Sequence, residues 1–291
     1  MIRKDRAFEA ARTQLLNRTS FFESREELSK EHFDAVLVGA DVVWNFKHAS
    51  LGRDPVYFGE GVSTDRLISF AASFGDCSLE DGLPSYVSEG LPRFDAYSVR
   101  DKNTAAIVQE VVNEEPLRIC DPAFHLDLPA IMPPPSERAP YLLVYLRNGA
   151  FSAELKDAII HFAKKRGLRI VATYYTHKWA DENLVLLEPQ EWLGLIRDAD
   201  YVVTNTFHGS VFSIMLEKAF ALDYNEGIRL KTKGMIEAMG LAGRTVACAD
   251  QLESVLEASV DYSCARAFRE CETLKAREFL EETLLKQRDR V

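Results

Sequence analysis

Tyr201-Val202-Val203-Thr204-Asn205-Thr206-Phe207-His208-Gly209-Ser210-Val211-Phe212 is the stretch that decides how this chain is read. Its first four residues are an apolar strand, a short polar turn follows, and a helical pattern runs from Gly209 to Leu216. A helix that starts just past a strand's carboxyl end points free backbone N–H groups, and its positive dipole end, into the crevice there. Anions bind in such places, and open α/β sheets put their ligands there. His208 stands in that turn beside Gly209 and between Thr206 and Ser210, able to exchange a proton near neutral pH. A histidine that caps a helix or is satisfied in the core fits the same residues, so the motif has to be weighed with its neighbours.

Outward from this stretch, strands and helices alternate. Strand-like runs at 35–38, 67–72, 96–100, 117–120, 141–146, 168–173, 184–187, 201–204, 219–222 and 245–247 are short and mostly unalternating. Parallel strands covered on both faces look like this. Helical patterns fall between them at 101–112, 153–165, 190–198, 210–217 and 232–239. The alternation predicts doubly wound α/β domains. Leu126 to Pro140 breaks the rhythm with Pro129, Pro133, Pro134, Pro135 and Pro140, too many for a helix or a central strand. It reads as a semi-rigid linker. The expected organisation is an N-terminal Rossmann-like domain over 1–128, a Pro-rich linker over 129–140 and a C-terminal Rossmann-like domain over 141–263. A charged helix over 264–291, apolar at Phe268, Leu274, Phe279 and Leu284, is expected to pack back on the first domain.

Charge and cysteine usage narrow the function classes. A formal charge of -10 argues against a general binder of nucleic acid or anionic membrane, which needs a basic face. It leaves room for an anionic small molecule held by a local cluster of cations. Residues 1–6 are charged and no apolar run follows, so no signal peptide is expected. No run approaches the roughly twenty apolar residues of a membrane span, and the expected location is cytoplasmic or peripheral at the membrane's inner face. The 5 cysteines lack a Cys-x-x-Cys pair and read as reduced thiols. The 6 histidines are scattered without His-x-x-x-His spacing, so no metal is expected.

Three further motifs sit where a sheet would place them. Phe33 to Val38 runs into Gly39, then Asp41, Trp44 and Asn45, whose side chains would face the crevice past the strand; an ordinary turn with Trp44 in the core fits as well. Ser69 to Gly75 is a strand of small residues that includes Ser73, and packing alone accounts for it. Tyr97-Ser98-Val99-Arg100-Asp101 ends in an arginine that can hold phosphate or carboxylate as a fork, or pair with an acid, and in an aspartate able to cap the next helix.

Taken in order, these motifs resemble the polysaccharide pyruvyl transferase family. The resemblance rests on Val38-Gly39-Ala40-Asp41-Val42-Val43-Trp44-Asn45, Ala71-Ala72-Ser73-Phe74-Gly75, Ser98-Val99-Arg100-Asp101, Asp121-Pro122 and Thr204 to Ser213. It implies a GT-B-like fold of two Rossmann-like domains with the active site in the cleft between them, so that His208 and Arg100 stand on opposite walls. It implies transfer of the enolpyruvyl unit of phosphoenolpyruvate to a sugar as a cyclic ketal. The donor is a substrate, and no cofactor is implied. The acceptor would be a saccharide or lipid-linked saccharide of a cell-surface or exopolysaccharide precursor. By this resemblance His208 is the acid/base and Arg100 an anion clamp. Asp41, Trp44, Asn45, Ser73, Asn205, Thr206, Gly209, Ser210, Arg229 and Lys231 are the expected substrate-binding residues.

The chain departs from the family's pattern at two places. Some members carry an arginine two positions before the motif histidine, where this chain has Thr206. Many also begin with a strand and a glycine- and asparagine-rich loop, whereas the residues before Val36 read as helical, so the first domain is expected to be shortened. Two other functions use the same scaffold: a sugar-nucleotide glycosyltransferase, and a non-catalytic relative that binds a carbohydrate or a partner.

Overall fold

Parallel strands form where the sequence runs apolar without alternating. The computed structural model describes residues 9, 12, 13, 16, 17, 19, 21–49 and 52–285, and the chain divides into two units. The first holds Thr19–His125 and the chain from Glu270 on. In it β1 (Val36–Gly39), β2 (Leu67–Ala72), β3 (Ala96–Val99) and β4 (Leu117–Arg118) lie side by side in that order, all parallel. Gly39 ends β1 because a Cβ there would overlap the carbonyl of Phe70 on the neighbouring strand. Helix α1 (Lys102–Val112) is capped by Asp101, whose carboxylate accepts from the N–H of Thr104 at 2.8 Å. The residues before Val36 are not all helical: a turn of helix at Arg25–Leu28 precedes a short strand, His32–Phe33, paired with Ser63–Thr64.

The second unit holds Leu126–Arg269. Its strands are β5 (Tyr141–Tyr145), β6 (Arg169–Thr173), β7 (Glu182–Leu184), β8 (Tyr201–Thr204), β9 (Ala219–Asp223) and β10 (Thr245–Val246). They form one parallel sheet in the order β7-β6-β5-β8-β9-β10, the strand order of a dinucleotide-binding Rossmann domain. Leu142, Leu143, Val203, Phe220, Ala221 and Leu222 have no exposed surface, and neighbours along a strand point to opposite faces, so both faces are covered. Helices α2 (Ala153–Arg166), α3 (Pro189–Asp198), α4 (Phe207–Met215), α5 (Glu226–Ala238) and α6 (Leu252–Glu257) complete the unit.

Two boundaries differ from the sequence reading. The Pro-rich stretch belongs to the second unit, and Leu128–Ile131 within it forms a helical turn with Pro129 in its first turn, where a missing N–H costs nothing. Arg197 of α3 donates to the carbonyls of Pro133 and Pro134, and Asp198 accepts from the N–H of Ser136 at 3.1 Å, so the stretch is tied to α3 rather than slack. Helix α7 (Ser263–Leu285) starts in the second unit and continues in the first from Glu270. There Glu272 accepts from the N–H of Cys120 at 2.8 Å, and Ala276 packs with Ala71 and Ile119. No helix among the described residues is long and apolar enough to cross a membrane.

Candidate active site

The strand order fixes where a ligand belongs. The order in which strands are added to the second sheet reverses between β5 and β8, and open parallel sheets bind ligands outside the carboxyl ends of the strands at such a switch. Tyr145 pairs with Thr204 at those ends. The loops leaving β5 and β8 therefore line the crevice: Leu146 to Ser152 on one side, Asn205 to Gly209 on the other.

On the β8 side the helix begins two residues earlier than the sequence suggests. α4 starts at Phe207, capped by Thr206, whose hydroxyl accepts from the N–H of Gly209 at 3.1 Å. His208 thus lies in the first turn of α4, exposed, its ring 5.3 Å from that of Phe207 and 6.3 Å from that of Phe212. A Cβ on Gly209 would overlap the Thr204 hydroxyl and stand 2.5 Å from that of Thr206 and 2.9 Å from the Tyr145 ring. Glycine is required there by space. The helix end sits that close to β5.

Asn205 and Ser210, expected to touch substrate, are buried and hydrogen-bonded within the protein. Asn205 is buried; its carbonyl accepts from the N–H of Arg147 at 2.8 Å, and its amide donates to the carbonyl of Ala150 at 3.1 Å and to Asp223 at 3.5 Å. Asn225 also donates to Ala150, at 3.2 Å, and caps α5. One amide-rich network so binds the loops after β5, β8 and β9. Burial holds the Asp223 carboxyl above its ordinary range, partly offset by hydrogen bonds from Asn205 and Asn225. Ser210 is buried and donates to the carbonyl of Phe207 at 2.7 Å.

Sequence reasoning missed the cation this network positions. Arg147 lies two residues past β5 and is exposed, and among the described residues its guanidinium has no ion-pair partner. Its backbone is pinned by Asn205, the residue that precedes Thr206. The sequence signal was an arginine two residues past a strand's end. Only the pairing of β5 with β8 gives it meaning. Arg229 lies exposed in the first turn of α5, after β9; the side chain of Lys231 lies outside those described.

An aromatic cluster flanks the same edge. Tyr145 meets Trp192 of α3 at 5.5 Å and Tyr174 at 5.8 Å, and Trp192 meets Phe212 at 5.3 Å. Burial pushes the titration of the Tyr145 hydroxyl upward. The indole nitrogen of Trp192 is buried without a partner among the described residues.

In the first unit the structure corrects most of the expected contacts. Trp44 has no exposed surface: its ring packs on Phe58, Phe74 and Phe94, and its indole N–H donates to the carbonyl of Tyr57 at 2.8 Å. Asn45 is buried, with its amide on Asp76 at 2.6 Å and its carbonyl accepting from the N–H groups of Lys47 and His48. Ser73 is buried and donates to Asp101 at 2.7 Å. All three are buried and hydrogen-bonded within the first unit. Arg100 is not a bare clamp either. Its guanidinium meets Asp121 at 2.5 Å and Asp41 at 3.5 Å, so two carboxylates offset its charge. Asp41 is exposed.

The sequence profile of the polysaccharide pyruvyl transferase family matches residues 3–222. A search of curated proteins finds no significant match. Among solved structures the chain is similar to the UDP-GlcNAc 2-epimerase from Neisseria meningitidis bound to UDP-GlcNAc. The TM-score is 0.52 at 13% identity, over 93% of this chain and 84% of that one. It is also similar to a proposed UDP-N-acetylglucosamine 2-epimerase from Listeria monocytogenes, with a TM-score of 0.56 at 10% identity, over 98% of this chain and 80% of that one. At these identities the likeness is one of fold, the GT-B arrangement of two Rossmann-like domains. With a profile match over most of its length, the chain belongs to the polysaccharide pyruvyl transferase family.

Proposed function

We propose that this protein transfers the enolpyruvyl unit of phosphoenolpyruvate to two hydroxyls of a saccharide, forming a cyclic ketal and releasing phosphate. The observation that carries the reading is the bond from the backbone N–H of Arg147 to the side chain of Asn205, which sits just ahead of α4 and its His208, at the switch between β5 and β8. The donor brings a carboxylate and a phosphate. A guanidinium binds either as a planar fork, and the helix end adds its dipole and backbone donors. Arg147 so takes the part of the arginine that Thr206 replaces, and Arg229 adds charge from α5. Arg100, balanced by Asp121 and Asp41, shapes its own strand end.

In this reading His208 delivers a proton to C3 of phosphoenolpyruvate, making it a methyl group and leaving an oxocarbenium-like centre at C2. A sugar hydroxyl bonds to C2 and gives up its proton, which His208 can accept. The C2–O bond to phosphate then breaks, a second hydroxyl bonds to C2, and its proton leaves with the phosphate. Of the two hydroxyl protons, one balances the new methyl hydrogen and the other the released phosphate. Proton transfer by a placed group contributes about a hundredfold to ten-thousandfold. The acceptor is read as a saccharide or lipid-linked saccharide precursor met in the cytoplasm or at the membrane's inner face.

Incubation of the full chain with phosphoenolpyruvate and a panel of methyl glycosides tests this. Phosphorus NMR should show the enol phosphate lost, and proton NMR a new ketal methyl signal in equal amount. A second reading, a sugar-nucleotide glycosyltransferase, is favoured by the fold shared with a protein that holds UDP-GlcNAc. Stabilisation by uridine diphosphate and not by phosphoenolpyruvate would select it.

A further inference from the structure

Tyr174 is displayed by an unusual piece of backbone. Strand β6 ends at Thr173, and the N–H of Tyr175 bonds back to the carbonyl of Thr173 at 2.7 Å, closing a turn on Tyr174 alone. Tyr174 has φ +63°, in the left-handed region where a side chain is strained, and γ-turns of this hand are rare. Strain of this kind persists where surrounding contacts hold it, and it collects at ligand sites. Aromatic rings are among the contacts here. The ring of Tyr174 stands 4.9 Å from that of Tyr175 and 5.8 Å from that of Tyr145, while Tyr145 and Tyr175 stack at 6.1 Å and 25°. Even so, Tyr174 remains 40% exposed.

The cluster is continuous with the reaction site. Tyr145 ends β5, two residues before Arg147; its backbone carbonyl accepts from the Thr204 hydroxyl at 2.9 Å, and that hydroxyl lies 3.0 Å from the one of Thr206, the cap of the helix that carries His208. We propose that Tyr174 is the face on which the acceptor's sugar ring stacks, with Tyr145 and Tyr175 supporting it from behind. This rests on the pyruvyl-transfer reading. There the anionic groups of the donor belong to Arg147 and the helix end, which leaves the acceptor, a neutral polyhydroxylated ring, to meet the tyrosines. One face of a pyranose is largely C–H and packs on an aromatic ring, while its rim hydroxyls reach a phenol.

The test uses the full chain as wild type, Tyr174→Gly and Tyr174→Trp. Glycine removes the ring, and relief of the left-handed backbone offsets part of the lost ring contacts, so melting curves recorded beside the binding data show that the variant is folded. Saturation-transfer NMR with methyl β-D-glucopyranoside, galactopyranoside and mannopyranoside reads acceptor binding. Calorimetry with phosphoenolpyruvate reads the donor. At least one glycoside should bind wild type through its C–H face, with affinity lost about tenfold in Tyr174→Gly and kept in Tyr174→Trp. Donor affinity should stay the same in all three. Glycoside binding unchanged in Tyr174→Gly, or absent from wild type, overturns the proposal. So does a site that takes uridine monophosphate through Tyr174 and no glycoside. Failure of phosphoenolpyruvate to bind wild type would instead count against the pyruvyl-transfer reading itself, so the two failures are distinct.

Discussion

The side-chain carbonyl of Asn205 accepts the backbone N–H of Arg147 at 2.8 Å, tying the turn that carries His208 to the loop after the neighbouring strand. The same amide donates to Ala150 and Asp223, so a single buried side chain sets three loops at the sheet's carboxyl edge. Asn205→Ala removes the partner of the Arg147 N–H and one of the two donors to the Ala150 carbonyl. It should cost about 1–3 kcal/mol in urea unfolding. A loss within about 0.3 kcal/mol, on the scale of an inert surface change, would show that the loops hold without it.

The second sheet was legible in the sequence because apolar runs such as Tyr141–Tyr145 and Tyr201–Thr204 carry their own signal. Asp101 was legible as a cap for the same local reason. Arg147 was not. In Leu146-Arg147-Asn148-Gly149 it looks like any loop arginine, and its importance comes from β5 lying beside β8, strands separated by more than fifty residues. Trp44, Asn45 and Ser73 failed in the opposite sense. Trp44 and Asn45 follow a strand's end, which suggested a crevice, and Ser73 was read within a strand of small residues, yet the aromatic core around Phe58, Phe74 and Phe94 and local hydrogen bonds claim them. The start of α4 was missed by two residues because Thr206 was read as a ligand rather than as the cap.

Asp223 gives the account a pH dependence. Burial raises its folded pKa above the ordinary 3.8, so its protonated form favours folding. That contribution is complete below the unfolded value and is lost as pH rises through the folded one. Asp223→Asn, a neutral near-isostere, should therefore melt close to wild type in acid and above it at neutral pH. Melting curves at several pH values with a constant gap between the two proteins would contradict this.

Arg100 and Asp121 make a pair whose acid is nearly enclosed, with 8% of the Asp121 side chain exposed. Arg100→Ala leaves that carboxylate short of a charged partner and should cost about 1–3 kcal/mol of stability. Joined with Asp121→Asn, the loss should be less than additive in a double-mutant cycle. Full stability of Arg100→Ala together with a collapse of donor affinity would instead restore Arg100 as the anion clamp.

His208 is exposed, so its removal should leave the fold intact and the chemistry broken. His208→Ala is expected to melt within a few degrees of wild type and to lose about a hundredfold to ten-thousandfold in ketal formation. An early-melting variant that retains turnover would reassign His208 to structure.

Calorimetric titration of phosphoenolpyruvate into wild type, Arg147→Ala, Arg147→Lys and Arg100→Ala tests the central claim most directly. Wild type should bind. Arg147→Ala should lose about tenfold or more in affinity, about 1.4 kcal/mol, and Arg147→Lys should recover only part, because an ammonium cannot reproduce the planar two-pronged contact. The wild-type affinity should weaken with added salt, as expected for an exposed guanidinium, and Arg100→Ala should bind as wild type does. Equal affinity in wild type and Arg147→Ala would remove the anion site from the switch between β5 and β8, and no binding by wild type would contradict the account as a whole.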